Sequence, residues 1–363
     1  MPARAAHARQ PPGSICIVRL SALGDTVMVA PLIKMLRREF PAASITWIIG
    51  KAAHPAVASL ERTSGVEFIV IDKPRGPGDY LALRRRMAGR AFDALLCLQA
   101  SWRAHFIHPC IRAHRKIGYG NDRARDMHAL FVREKLPPSP RPHILDGFLQ
   151  FGEALGATRS PADYEGAWGL EADPAALAWA ETTLPRGRWL AVSPCASKAE
   201  RDWSAASCAE TLTRAWRAHK LSVVLLGGPA PREHAMADSI RARLDPCCPV
   251  TKLTGATTVP QLVAALSRCA ALLAPDTGAV HIARAFDRPV VGLYAVAPST
   301  RTGPYARLDY CVDKFPEAVA LAHGATANVN DRKRRVHDPR AMSLITPSEV
   351  ARQLDRALAL ECA

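Results

Sequence analysis

The side chains best suited to chemistry lie in four short stretches, each of which closes an apolar run. In Ser21-Ala22-Leu23-Gly24-Asp25, the glycine permits a sharp strand-to-helix turn. Such a turn would hold out the Asp25 carboxylate as a base, although Asp25 equally fits the cap of the next helix. The stretch is no phosphate cradle. Neither G-x-x-x-x-G-K-[ST] nor a strand-linked G-x-G-x-x-G occurs, which sets aside P-loop ATPases, kinases and standard dehydrogenases. The second stretch, Ser193 to Trp203, offers small residues, backbone amides, Ser197, Lys198 and Arg201. Amides with a cation suit a pyrophosphate; a solvated basic loop is the plainer alternative. In the third, Gly227 and Gly228 admit a ligand to the backbone, and Glu233 is placed to accept ribose hydroxyls or simply to open a helix. In the fourth, Asp276, Thr277 and Gly278 precede His281 by one turn. A helix start of this kind favours anions, whereas His281 alone would read as a buried structural histidine.

The elements that must position these stretches alternate in type. Ile15 to Leu20, Ser44 to Ile49, Val66 to Ile71 and Ala94 to Leu98 are apolar runs of strand length. Val29, Leu32, Ile33 and Leu36 recur at helical spacing, with Pro31 marking a first turn or a kink. Tyr80 to Met87 reads as a basic helix and His143 to Leu155 as another. Four prolines between Pro137 and Pro142 exclude a helix interior or central strand there. The pattern lapses around Thr158 to Asp173, the expected linker. It resumes with strands at Trp189–Val192, Ser222–Leu226, Ala270–Ala274 and Pro289–Tyr294. Helices are expected over Ala205–His219, Val259–Ser267, Ala279–Phe286 and Thr346–Leu360, the last opened by a Thr346-Pro347-Ser348-Glu349 cap. Alternating strands and helices specify parallel βαβ units. The expectation is an α/β chain of two Rossmann-like halves facing a cleft, with ligands at the carboxyl ends of the strands.

Length and composition agree with two globular cores. The chain has 363 residues, of which 48% are hydrophobic and 22% charged. Its net charge of +15 implies anionic partners: nucleic acid, a membrane face or phosphorylated substrates. Residues 1–170 carry 24 Lys and Arg against 14 Asp and Glu, so the first half holds most of the surplus. The ten cysteines form no C-x-x-C pair or Cys/His cluster, and several lie in apolar runs, which reads as a reducing cytoplasm. Cys247-Cys248 is a vicinal pair without an evident redox role. The basic, Pro-rich start lacks the apolar centre of a signal peptide, and no apolar run approaches the ~20 residues of a membrane span.

Together the motifs resemble family 9 of the glycosyltransferases, the lipopolysaccharide heptosyltransferases. The resemblance rests on Val18-Arg19-Leu20-Ser21-Ala22-Leu23-Gly24-Asp25 with Ala30-Pro31-Leu32, and on Arg38-Glu39-Phe40-Pro41. It continues through Arg201-Asp202-Trp203, Leu225-Leu226-Gly227-Gly228-Pro229, Asp276-Thr277-Gly278 with His281, and Arg301-Thr302-Gly303-Pro304-Tyr305. It implies a GT-B fold: an acceptor domain over 1–168, a nucleotide-sugar domain over 169–345, and a C-terminal helix, 346–363, packing back on the first. It further implies inverting transfer of a heptose from ADP-heptose to the inner core of lipopolysaccharide. Asp25 would be the general base, and Ser197, Arg201, Glu233, Asp276, Thr277, Gly278 and His281 would bind the donor. Ser21 with Arg84, Arg85 and Arg86 would serve the acceptor. No obligatory metal or cofactor is expected, because fixed cations and helix amides can meet the leaving diphosphate and no acidic D-x-D ends a strand.

The implied partners are a nucleotide sugar and a phosphorylated glycolipid, met by a monomer peripheral to the anionic cytoplasmic face of the inner membrane. Two departures stand out. Arg201 replaces a customary lysine, and Ala295-Val296-Ala297-Pro298 replaces a Gly-Pro-Thr-Asp-like turn. Other readings are a GT-B enzyme of a different sugar, an epimerase, or a nucleic-acid-binding protein using Arg84-Arg85-Arg86 and Arg332-Lys333-Arg334-Arg335. An aromatic content of 6% weighs against the last, as does the lack of a nucleic-acid-binding motif.

Overall fold

A computed structural model describes residues 10–124, 127–139, 141–185, 187–324, 326–329 and 334–359. The chain divides into two compact units: Met1–Arg141 with Leu145–Gly169, and Pro142–Ile144 with Leu170–Ala363. The main division falls one residue beyond the expected 168. Arg332 and Lys333 of the second basic run lie outside the described residues.

The first unit is built on β1 (Ser14–Val18), β2 (Ser44–Gly50), β3 (Val66–Ile71), β4 (Ala91–Cys97), β5 (Arg112–Gly118) and β6 (Glu134–Lys135). All six are parallel, in the order β3-β2-β1-β4-β5-β6. The central strand β1 is buried on both faces, with Ile15, Cys16, Ile17 and Val18 fully inaccessible. That is why it reads as an unbroken apolar run. The helices are α1 (Leu23–Val27), α2 (Ala30–Glu39), α3 (Leu60–Ser64), α4 (Pro77–Arg86), α5 (Trp102–His105) and α6 (Ile144–Ala154). The helix expected around Val29 is two helices, and Pro31 lies in the first turn of the second, where its missing N–H costs nothing.

The second unit repeats the plan with β7 (Trp189–Val192), β8 (Ser222–Leu225), β9 (Val250–Lys252), β10 (Ala271–Pro275), β11 (Val290–Tyr294) and β12 (Val312–Asp313). Its parallel order is β12-β11-β10-β7-β8-β9. The helices are α7 (Pro174–Thr183), α8 (Ala205–His219), α9 (Pro231–Arg241), α10 (Val259–Arg268), α11 (Gly278–Ala285), α12 (Ser299–Thr302), α13 (Phe315–His323) and α14 (Pro347–Ala359). In both sheets the crossovers reverse direction at one point, between β1 and β4 and between β7 and β10. The diverging loops there leave an opening at the carboxyl ends of the strands.

The C-terminal helix expected from Thr346 is α14. Val350, Leu354, Ala357 and Leu358 of α14 are buried in the second unit's own core with Leu212, Leu293 and Phe315. Arg188 Nη2 also donates to Leu358 O at 3.3 Å. A helix whose apolar stripe is used up in this way anchors the unit that contains it.

The start of α14 matches the expected capping box. Thr346 Oγ1 donates to Glu349 Oε2 at 2.8 Å, and Glu349 N donates to Thr346 Oγ1 at 3.3 Å. Burial would raise the Glu349 carboxyl, but Lys314 Nζ at 2.7 Å and the Thr346 bonds outweigh it and hold it at about 2. The resulting stability is complete above the ordinary value of 4.5 and is lost as pH falls towards 2. Glu349→Gln should therefore lower the urea stability of the protein by about 1 kcal/mol at pH 7. That difference from the parent should shrink below pH 4.5 and close near pH 2.

Candidate functional site

Arg19, one residue past β1, organises the opening of the first unit. Its Nη1 donates to Leu98 O at the end of β4 at 2.9 Å, Nη2 pairs with Asp25 Oδ2, and the guanidinium lies 5.4 Å from the Phe148 ring. The Asp25 side chain keeps 27% of its surface exposed against 12% for Arg19. Asp25 lies in the first turn of α1, yet its carboxylate bonds Arg19 rather than capping the helix. Of the two readings of Asp25, the geometry therefore favours a carboxylate presented at the strand ends. The turn is braced by Gln99, which accepts Leu20 N–H at 2.7 Å and donates to Ser101 Oγ at 3.1 Å. Trp47 Nε1 donates to Arg19 O at 3.0 Å. Gly50 is required beside this turn, because a Cβ there would stand 2.5 Å from Leu20 O.

Beneath this pair lies a polar floor that sequence reading did not find. Tyr119 OH donates to the same Leu98 O at 3.2 Å, and Arg123 covers the Tyr119 ring at 5.0 Å while donating to Gln150 Oε1 at 2.6 Å. Burial pushes the Tyr119 phenol up despite Arg19 and Arg123 nearby. Tyr119 N–H donates to His128 Nε2 at 3.0 Å, which fixes the proton of neutral His128 on Nδ1, facing His105 Nε2 at 2.9 Å. His105, His108 and His128 are all buried, with His105 stacked on Phe131. Burial, then the neighbouring His105, lowers His128 to about 4; burial also takes His108 well below its usual value.

Ser21 lies exposed on the Asp25 turn. The structure does not bring Arg84, Arg85 and Arg86 to it. They form the exposed last turn of α4, and no described contact joins them to the Asp25 turn. Arg86 instead donates to Val70 O at 3.1 Å.

In the second unit the loops after β7, β8 and β10 meet. Arg201 Nη1 binds Asp276 Oδ2 at 2.9 Å, both largely buried, and its Nε–H has no acceptor among the described residues. Asp202 Oδ1 accepts Ala196 N–H at 2.9 Å, and its other oxygen pairs with Arg232, which donates to Ala196 O at 2.7 Å. These bonds close Ser193 to Trp203 into a rigid ring. Glu233 accepts Gly228 N–H at 2.5 Å. A Cβ on Gly227 would stand 2.9 Å from Glu233 Oε2, so the glycine lets the carboxylate fold onto its own loop. Thr277 caps α11 without a side-chain bond, with Gly278 first in the helix and His281 buried.

Buried Arg284 holds the following loop by donating from Nε to Tyr305 O at 2.6 Å. His143 Nε2 lies 2.9 Å from Gly303 O. Ser197 is exposed at the loop tip. Among the described residues, no group of three or more His, Cys, Asp or Glu is placed to hold a metal ion. No helix of the described residues is long and apolar enough to cross a membrane.

Arg19 and Asp202 stand in the motifs of the first and second stretches, and Arg232 stands next to Glu233 in the third; none of the three was expected to have a role. A charge interrupting the apolar run Val18-Arg19-Leu20 was the available signal for Arg19. Tyr119, Arg123 and His128 gave none, since β5 itself was not expected.

Comparison with known proteins places this geometry in context. Residues 80–324 match the model of glycosyltransferase family 9 (heptosyltransferase). The lipopolysaccharide core heptosyltransferase OpsX of Haemophilus influenzae is 35% identical over 307 residues, which is 84% of this chain and 86% of that one. Among solved structures, a family 9 glycosyl transferase from Veillonella parvula superposes with a TM-score of 0.76 at 19% identity, covering 96% of this chain and 97% of the other. The ADP-heptose LPS heptosyltransferase II of Escherichia coli gives 0.70 at 19% identity, covering 96% and 100%. These likenesses show the GT-B fold.

The histidine floor makes a pH prediction. Unfolded His128 takes up a proton near 6.5, which the folded residue refuses until about 4, so stability falls with pH across that window. His128→Gln keeps an acceptor for Tyr119 N–H. Its urea midpoint should fall less than the parent's between pH 7 and pH 4.5. Equal losses would mean that His128 does not stay neutral in the fold.

Proposed function

The chain belongs to glycosyltransferase family 9, and on that footing we propose that it transfers a heptose, with inversion, from ADP-heptose to the lipopolysaccharide core, Asp25 acting as general base. The coarser statement, a glycosyltransferase of lipopolysaccharide core biosynthesis acting as a heptosyltransferase, rests on the family match and the relative. The observation that supports the finer reading is the Asp25 carboxylate. It is held by Arg19 at the open carboxyl ends of β1 and β4 rather than spent on a helix cap.

In this reading the Asp25 carboxylate accepts the proton of the acceptor hydroxyl as that oxygen attacks the anomeric carbon from the face opposite the diphosphate. Arg19 orients the carboxylate through its fork, with Leu98 O fixing the other arm. The bond to the diphosphate breaks as the new bond forms, and negative charge collects on the leaving group. Arg201, with an unused Nε–H, and the amides at the start of α11, Thr277 and Gly278, meet that charge. Arginine at 201 favours a planar, two-point phosphate contact that lysine would not make.

Asp276, braced by Arg201, takes heptose hydroxyls, with His281 one turn behind and Ser197 at the loop tip. Glu233 takes the ribose after giving up Gly228 N–H. The acceptor is a phosphorylated glycolipid met in the cytoplasm by a monomer, with Ser21 beside the base; the surplus of +15 favours such a partner. No obligatory metal is needed where arginine and helix amides carry the charge.

The decisive assay supplies ADP-heptose with truncated core acceptors and reads product by mass spectrometry. Asp25→Asn should lose transfer by about 10²–10⁴-fold while binding ADP as the parent does. Turnover within tenfold of the parent would remove the general-base role. Extensive chelation should leave parent turnover unchanged; activity lost to chelator and restored by magnesium would overturn the metal-free reading.

A further inference from the structure

Exposed large hydrophobic side chains are not scattered over this protein. Among the described residues, Leu81, Trp102, Phe106, Met127 and Leu130 are exposed within one stretch of the first unit, and only Leu321 and Val329 lie outside it. Two of them, Trp102 and Phe106, form a continuous patch with the rings of Tyr80 and Phe131. Phe106 meets Trp102 at 5.0 Å, Tyr80 at 5.7 Å and Phe131 at 5.7 Å between ring centroids. Leu81 and Leu130 are chain neighbours of Tyr80 and Phe131. Beneath, Tyr80 OH donates to Arg103 O at 3.2 Å and Phe131 stacks on buried His105, so the patch is held firmly from behind.

The charge around it is strongly one-sided. Residues 75–135 contain thirteen Lys and Arg against five Asp and Glu, more than half of the chain's surplus in one sixth of its length. Of the nearby acids, Asp79 is engaged with the Arg75 and Gly76 amides. Arg84, Arg85, Arg103 and Arg133 are exposed and form no ion pair among the described residues. Tyrosine and tryptophan beside arginine, around protruding leucine and phenylalanine, is the composition of a surface lodged at the headgroup level of a bilayer. Uncompensated arginines supply the attraction to anionic lipid.

We propose that Tyr80, Leu81, Trp102, Phe106 and Leu130, ringed by Arg84, Arg103 and Arg133, form a docking surface for an anionic phospholipid bilayer. The patch is wired to the catalytic turn. Trp102 follows Ser101, whose hydroxyl accepts from Gln99, and Gln99 receives Leu20 N–H beside Arg19. A bilayer seated on Trp102 therefore lies at the same edge of the sheet as Asp25, where a lipid-linked acceptor would present its sugar. The inference rests on the proposed acceptor only for this last point; the lipid contact itself is measured without turnover.

The test is co-sedimentation of the full chain with vesicles of phosphatidylethanolamine and phosphatidylglycerol (3:1) or of phosphatidylcholine alone, with folding followed by circular dichroism. The parent should bind the anionic vesicles, more weakly as salt rises, and should bind the neutral ones at least tenfold less. Arg103→Glu and Trp102→Glu should each weaken anionic binding at least fivefold, since one juxtamembrane cation contributes about that factor. Leu81→Glu, more remote from the packed rings, serves if Trp102→Glu misfolds. Transfer to a water-soluble, deacylated core acceptor should be unchanged in Trp102→Glu. Failure of the parent on that acceptor speaks against the proposed function and leaves the vesicle result standing.

Three outcomes overturn the docking surface. One is equal binding of parent and variants. Another is binding only when the glycolipid acceptor is present in the vesicle. The third is self-association of the parent that these variants abolish while vesicle binding persists.

Discussion

Leu98 O, the last carbonyl of its strand line, receives both Arg19 Nη1 and Tyr119 OH, and the first unit's chemistry hangs from that atom. A carbonyl has two lone pairs, and at the end of a central parallel strand neither is taken by a neighbouring ladder. One arm of Arg19 is thereby fixed, so the other arm must meet Asp25. The carboxylate is aimed through a side chain that the backbone itself holds in place. The reversal of crossovers between β1 and β4 makes this possible, because only there do the loops part and leave the strand ends open. Gln99 and Trp47 then pin the backbone on either side of Arg19.

The second unit solves a different problem with the same topology. It must hold cations in a partly buried loop without letting them collapse onto the nearest acid. Arg232 and Asp202 satisfy each other and close the loop, while Arg201 shares only one nitrogen with Asp276. An arginine tied by one nitrogen keeps its plane fixed and retains donors for an anion, which a lysine in that place would not. Removing Asp276 would leave Arg201 oriented by little else, so the two are better regarded as one unit than as separate phosphate and sugar contacts.

What the sequence disclosed follows from burial. Strands β1, β10 and β11 are covered on both faces and read as unbroken apolar runs, so their boundaries and the loops that follow them were legible. Asp25 was legible because Gly24 marks the turn. Strand β5 was not. Its sequence, Arg112-Ala-His-Arg-Lys-Ile-Gly118, lies next to the short edge strand β6, and its cations are consumed by Glu134 and by His108 O. Losing β5 meant losing Tyr119 and, with it, the whole histidine floor. Gly118 is small there because a Cβ would collide with His128 Nε2, a close approach that no periodicity discloses. Helix α14 showed its type, its cap and its apolar stripe; which core the stripe enters is decided by tertiary packing.

The positive charge also divides by role once the structure is laid over it. Arg19, Arg123 and Arg201 are drawn inward, each with ordered partners, and are suited to act on one group at a time. Arg84, Arg85, Arg103 and Arg133 remain outward and unpaired among the described residues, where their fields add over a surface instead of a site. A cation held in a network is costly to move and contributes direction; a solvated one is screened within about 8 Å at physiological salt and contributes attraction. The same surplus of +15 thus serves two purposes at two ionic-strength sensitivities. The contacts of Arg19 and Arg201 should persist in salt that releases the outer arginines from an anionic surface.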